Sequence, residues 1–177
     1  MIETDRLILR SWRDSDLDPF AAMCADPRIM ATLGPVMTRD ETAALIERAS
    51  GLERDLGHTF WAMERKADGQ LIGWCGVKRG PDGTPIEGKP ELGWRVAHDG
   101  WGQGFAREAA EATIAWSFAN LPDDAVWAIT TTGNSRSWGL MERLGMTRRH
   151  DMDFDHPAVP ADSPLKPHVT YELRRPA

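Results

Sequence analysis

Leu92, Trp94 and Val96 alternate with Glu91, Gly93 and Arg95, the period-two pattern of a strand, and the alternation stops at Ala97-His98-Asp99-Gly100. Beyond Trp101-Gly102-Gln103-Gly104-Phe105, the residues Ala106, Ala109, Ala110, Thr113, Ile114 and Phe118 recur at helical spacing until Leu121-Pro122 breaks the run. The same order returns downstream. Val126, Ala128 and Thr130 alternate with Trp127, Ile129 and Thr131 in a predicted strand, Gly133-Asn134-Ser135-Arg136-Ser137 makes a polar turn, and Trp138, Leu140, Met141 and Leu144 predict a short helix. Gly145 fits the C′ position of that helix, with Met146 folding back against it. Two neighbouring strands, each followed by a helix, can splay at their C-terminal ends and leave a ligand cleft between them.

The flanking sequence predicts the rest of the scaffold. Arg6 to Arg10 reads as a first strand, and Leu17, Phe20, Ala21 and Met23 follow Asp14-Ser15 as an amphipathic helix closed by Pro27. A second helix is predicted over 38–56, opened by a Thr38/Glu41 capping box and ended at Gly57-His58. Thr59 to Arg65 and Gln70 to Val77 predict a hairpin, and the Gly- and Pro-rich run 80–90 a loop. Past Gly145, a hairpin with a long connection through Pro157, Pro160, Pro164 and Pro167 ends in a last strand over 168–174. The 177 residues read as a single domain, 1–177.

Composition narrows the function classes. A net charge of -6 argues against a broad nucleic-acid surface. No apolar run approaches the roughly 20 residues of a membrane span, and the N-terminus carries no signal-peptide pattern, so the expectation is a cytoplasmic protein. Cys24 and Cys75 are far apart in apolar surroundings, which predicts buried free thiols rather than a redox pair or a metal knuckle. Of the eight tryptophans, Trp61, Trp74, Trp94, Trp127 and Trp138 are expected in the core, while Trp12 and Trp101 sit beside turns where they could flank a ligand.

The loop between the central strand and its helix is the main candidate for chemistry. The first turn of a helix exposes unpaired backbone N–H groups at the positive end of its dipole, and small residues let an anion reach them. Gly102, Gly104 and Ala106 provide that slimness, although on the glycines alone a tight turn explains them equally well. No Gly-Lys-Ser/Thr follows, and the full G-x-G-x-x-G spacing is missing, so this is neither a Walker loop nor a dinucleotide fingerprint.

The stretch resembles the acetyl-CoA-binding motif of the GNAT superfamily of N-acetyltransferases, with Gly104 and Ala106 in the last two places of its signature and Trp101 where Gln or Arg is usual. The run Trp101-Gly102-Gln103-Gly104-Phe105-Ala106-Arg107-Glu108 is similar to the branch that acetylates N-termini of ribosomal proteins, as is the opening Glu3-Thr4-Asp5-Arg6-Leu7-Ile8-Leu9-Arg10. A third match stands at Asn134, Ser137, Leu140, Glu142, Arg143, Leu144, Gly145 and Met146. The resemblance implies an α/β fold, with a mixed, mostly antiparallel sheet of about seven strands flanked by about four helices. It further implies direct transfer of an acetyl group from acetyl-CoA to a primary amine in a ternary complex, with no metal. The acceptor would be a protein N-terminus or a small amine, and the enzyme a monomer or homodimer with neither nucleic-acid nor membrane partners.

On that basis the backbone of Arg95 and Val96 would pair with pantetheine, and the loop of Trp101, Gly102, Gln103, Gly104, Phe105, Ala106 and Arg107 would receive the diphosphate. Asn134 would satisfy polar groups of pantetheine and Ser137 would assist the departing thiolate, unless Asn134 is merely a turn residue tolerating φ > 0 and Ser137 a helix-start hydroxyl. Glu91 is the first candidate for general base, with His98 and Asp99 behind it. The tyrosine that many family members carry in the helix after the last core strand is replaced by Met141, and the sole tyrosine, Tyr171, falls in the terminal strand. An acyl-CoA-binding sensor without turnover therefore stands as the alternative.

Overall fold

The computed structural model describes residues 1–176. Its centre is an antiparallel meander of β2 (Leu7–Arg10), β3 (Phe60–Arg65), β4 (Gln70–Arg79) and β5 (Pro90–Val96), extended at one edge by β1 (Ile2–Glu3). β5 then lies parallel to β6 (Ala125–Thr131), and β6 pairs antiparallel with β9 (Pro167–Arg174), on which β7 (Thr147–Arg148) and β8 (Phe154–Asp155) also pair. The sheet has nine strands among the described residues, more than expected, because β1, β7 and β8 are two-residue pairings too short to show a period. The register of β5 with β6 is confined to Glu91 opposite Trp127, so the two strands part toward their C-terminal ends. The predicted fork is present.

Parity along β5 assigns the two faces of the sheet. Leu92 and Val96 are buried with Phe105, Ala109 and Ala110 of α4 (Phe105–Asn120), and α5 (Ser135–Arg143) follows β6. The opposite face meets α1 (Leu17–Cys24) and α3 (Arg39–Leu56): Phe20, Met23 and Cys24 form a second cluster with Leu45, Ile46 and Trp74. Five α-helices are present among the described residues where about four were expected, because the loosened stretch after Cys24 holds α2 (Pro27–Met30). Pro27 ends α1 by starting α2 at a position where its missing N–H costs nothing, and Asp26 caps it by accepting from the Arg28 amide at 2.9 Å.

The predicted helix ends hold at residue level. Thr38 and Glu41 form both bonds of the capping box, and Gly57 ends α3 at φ 75°. At the end of α5, Gly145 N–H donates to Glu142 O and Met146 N–H to Met141 O, both at 3.0 Å, which is a Schellman closure. A buried ion-pair cluster ties the start of α1 to the meander: Arg10, 6% exposed, bonds both oxygens of Asp16 at 2.7 and 2.9 Å and Glu64 at 2.7 Å. Cys24 and Cys75 are free and buried, and burial pushes the Cys75 thiol up to about 12. No helix among the described residues is long and apolar enough to cross a membrane.

Candidate active site

Gly102 and Gly104 adopt φ values of 75° and 83°, and Gly104 is the N-cap of α4. Left-handed backbone is what these positions demand of their residue type. A side chain at Gly102 would meet open space and one at Gly104 only the Arg6 Nη2, so steric room around the glycines is the lesser constraint. The loop conformation has a direct consequence for hydrogen bonding. Trp101 N–H bonds His98 O and Glu108 N–H bonds Gly104 O, but the six amides between them, from Gly102 to Arg107, find no acceptor among the described residues. Six consecutive unpaired donors thus precede and open the positive end of a sixteen-residue helix.

The opening of the chain holds the loop in place. Arg6 donates to Gln103 O at 3.0 Å and to Glu108 Oε2 at 2.7 Å, and its guanidinium lies 4.6 Å from the centre of the Phe105 ring. Glu108 also accepts from the Thr4 hydroxyl at 2.5 Å and the Arg6 amide at 3.0 Å. Burial alone would raise the Glu108 carboxyl, but these donors hold it below its ordinary value. Gln103 closes the loop from inside by donating to Asp99 O at 2.6 Å. Arg107, expected to add charge for the diphosphate, pairs with Glu111 on the outer face of α4.

Along the fork, the two-residue alternation decides which backbone groups are free. Ala97 N–H donates to Ile72 O on β4 at 2.8 Å, so Arg95 and Gly93 also turn their backbone groups toward β4, and the edge facing β6 belongs to Trp94 and Val96. The main chain of Val96 therefore faces the fork, whereas that of Arg95 is taken up by β4. The Val96 carbonyl accepts from Trp101 Nε1 at 2.9 Å. Trp101 also receives the Arg136 guanidinium, 4.2 Å over its ring, which links the loop after β5 to the first turn of α5 across the mouth of the fork. The other turn-flanking tryptophan, Trp12, is spent on packing: its ring lies tilted against Phe20, 4.8 Å between centres, and its Nε1 donates to Phe60 O.

Asn134 caps α5, its Oδ1 accepting from Ser137 N–H at 3.3 Å while its Nδ2 donates to Thr130 Oγ1 at 3.0 Å. Its φ of -86° is not the positive-φ turn weighed for it, and its amide instead caps the helix. The half-buried Ser137 hydroxyl has no partner among the described residues. Tyr171 is buried under α5 and donates to Glu142, and Met141 is buried beside it.

Glu91 stands at the register point where the fork begins. Its carboxylate is 12% exposed and paired with Lys78, its cross-strand neighbour on β4. Burial raises its pKa, against the opposing pull of Lys78. His98 and Asp99 lie at the far end of β5 in an exposed turn, where the His98 ring lies tilted against Trp101 at 4.8 Å. Their observed role is to shape that turn. The sequence reading missed Arg6, Lys78 and Arg136; Lys78 lies one residue past the predicted end of β4, and its place opposite Glu91 is set by strand register.

An acetyl-CoA molecule fits the donor set: the six unpaired amides are complementary to a diphosphate, and the open edge of β5 to the amides of pantetheine. The family profile described as an acetyltransferase (GNAT) domain matches residues 6–147. An uncharacterized N-acetyltransferase of Bacillus subtilis, YoaA, is 24% identical over 150 residues, covering 84% of this chain and 83% of its own. The crystal structure of an acetyltransferase from Agrobacterium tumefaciens superposes with a TM-score of 0.78 at 25% identity, over 98% of this chain and 94% of that one. RimL, the ribosomal L7/L12 α-N-protein acetyltransferase solved with coenzyme A, shares the fold at a TM-score of 0.76 and 13% identity, over 97% and 95% of the two chains. With the profile spanning both the glycine loop and the second strand-turn-helix unit, the chain belongs to the GNAT family of acetyl-CoA-dependent N-acetyltransferases.

Proposed function

We propose that the chain acetylates a primary amine by direct attack within a ternary complex, with Glu91 as general base. Amides of Gly102 to Arg107 hold the diphosphate and the β6-facing edge of Trp94 and Val96 aligns pantetheine, which places the thioester in the fork. The observation that carries this reading is the run of six unpaired amides at the start of α4. Bound acetyl-CoA supplies the activated acyl group. Glu91 removes a proton from the acceptor ammonium or amine, directly or through one water; Lys78 keeps the carboxylate ionised while burial makes it more basic than an exposed one. The Ser137 hydroxyl donates a hydrogen bond to the departing sulfur.

RimL acts on a ribosomal protein, which keeps a protein N-terminus among the acceptor classes beside free amino acids and other small amines. Titrating acetyl-CoA while following thiol release with a panel of amines tests the reading. Release that depends on the amine supports transfer. Saturable acetyl-CoA binding with no release for any amine would instead make the chain a sensor.

A further inference from the structure

Arg95 is the one guanidinium in the interior that the described residues leave without an oxygen acceptor. Arg10, 6% exposed, is satisfied by Asp16, Glu64 and Ser11 O, and the half-buried Arg175 by three carbonyls. Arg95 forms no ion pair among the described residues, and its hydrogen bond there runs from Nη1 to Cys24 Sγ at 3.1 Å, a weak acceptor. Its Nε is sealed from solvent and unpaired. Nε and Nη2 share one edge of the planar group, the edge that grips a carboxylate through two parallel bonds, and neither has a partner among the described residues.

The surroundings cover Nε and leave Nη2 as the reachable atom of this edge, so an incoming carboxylate meets Nη2 first. The guanidinium lies 5.9 Å from the Phe20 ring centre and 5.6 Å from that of Trp74, so aromatic faces fix its plane without neutralising it. Desolvation pushes its pKa down, but an arginine stays charged, and a buried positive charge without an anion is unfavourable. An apolar residue at 95 would fill the same space at less cost to the fold. Arg95 also occupies the same face of β5 as Glu91, four residues away, or about 13 Å along a strand. Between them Gly93 is roofed by Phe60 and Trp74, stacked 4.4 Å apart, which leaves an apolar stretch between base and cation.

We propose that Arg95 is a specificity-determining residue that binds a carboxylate of the acceptor, so that the preferred acceptors are amines joined to a carboxylate through an apolar or peptide spacer. This rests on the reading of the chain as an amine acetyltransferase. Polyamines, which bring only positive charge to Arg95, are poor acceptors on this account. A free amino group at one end and a carboxylate at the other, as in ω-amino acids and short peptides, match the order Glu91, Gly93, Arg95 along the strand.

The test pairs each acceptor with its neutral twin: straight-chain ω-amino acids from β-alanine to aminooctanoate beside their primary amides, and dipeptides and tripeptides with free or amidated C-termini. Thiol release from acetyl-CoA gives kcat and KM for wild type, Arg95→Lys and Arg95→Met. The expected result is a preference for the carboxylate member of about ten- to a hundredfold in kcat/KM, carried by KM, at one or two spacer lengths. Arg95→Met erases the preference and Arg95→Lys retains part of it. Melting temperatures of all three proteins with the same compounds and coenzyme A give a readout free of turnover: the carboxylates raise the wild-type value more than the amides do, and Arg95→Met removes the difference. Equal behaviour of carboxylates and amides in both assays, or a preference that survives Arg95→Met, overturns the proposal. Selective stabilisation by carboxylates with no thiol release for any amine would sink the transferase reading and leave the anion site standing.

Discussion

Arg6 and Glu108, 102 residues apart in sequence, face each other at 2.7 Å, and through that contact the first strands of the chain clamp the first turn of α4. The two stretches that most resemble the same family branch, Glu3 to Arg10 and Trp101 to Glu108, therefore form a single device. Arg6 bonds the loop carbonyl at Gln103 and the carboxylate at Glu108, and Thr4 fills the remaining acceptor sites of Glu108. A loop with six unpaired amides has few internal bonds to define its shape, so this external bracing keeps the donors in place.

Removing the brace should weaken both the fold and the cofactor site. Glu108→Ala is expected to lower stability by about 1–2 kcal/mol, the lower part of the range for charged hydrogen bonds because Arg6 is half exposed. Isothermal titration should show weaker coenzyme A binding. The pH dependence carries a sign. The folded-state pKa of Glu108 lies below its ordinary value of 4.5, so its contribution is complete above that value and is lost as pH falls through the lower folded one. Urea melts from pH 6 to 3 should therefore show a shallower acid loss in Glu108→Gln than in wild type.

The glycines are tested through backbone strain. Gly104→Ala forces a Cβ onto a backbone with φ 83°, at about 1–2 kcal/mol. If the loop relieves that strain by changing conformation, the amides turn away and coenzyme A affinity falls. Gly133→Ala, at an exposed glycine of the other turn with ordinary φ and open space around its Cβ, should do neither.

The buried cluster at Arg10 predicts a purely structural effect. Asp16→Ala leaves Arg10 and Glu64 in the interior with the bidentate pair broken, which costs about 3–5 kcal/mol. Thermal melts should fall by roughly 10 °C. Coenzyme A affinity of the remaining folded protein should stay near wild type.

Glu91 predicts a kinetic signature. Glu91→Gln should reduce kcat by about a hundredfold or more with little change in acetyl-CoA KM, the usual loss when a positioned base is removed. The acid limb of the wild-type kcat/KM profile should lie above the ordinary carboxylate range because burial raises Glu91. Lys78→Met removes the one cation paired with Glu91 and should move that limb further upward.

Much of this arrangement was legible in local sequence, and the exceptions share a cause. The Thr38/Glu41 box, the Schellman glycine at 145 and the alternation of β5 and β6 depend on near neighbours, and the structure reproduces each. The fork also followed from pattern, since two strand-turn-helix units in succession impose it. The side-chain partners did not. Lys78 opposite Glu91, Arg6 on Glu108, and Arg136 over Trp101 depend on register and on contacts between remote segments. Backbone direction was another loss: alternation showed that Arg95 and Val96 are neighbours on the central strand, but which of them faces β6 required the pairing with β4. The unpaired state of Arg95 is likewise a property of what surrounds it.

The central claim is that the amides of residues 102–107 are the diphosphate receptor, and a titration of 15N-labelled protein with coenzyme A followed by amide NMR reads those groups one by one. The account predicts downfield amide-proton shifts concentrated at Gly102 to Arg107, saturating with the binding isotherm, and smaller for pantetheine, which lacks the diphosphate. Saturation of the protein with coenzyme A while those six resonances stay in place would contradict it.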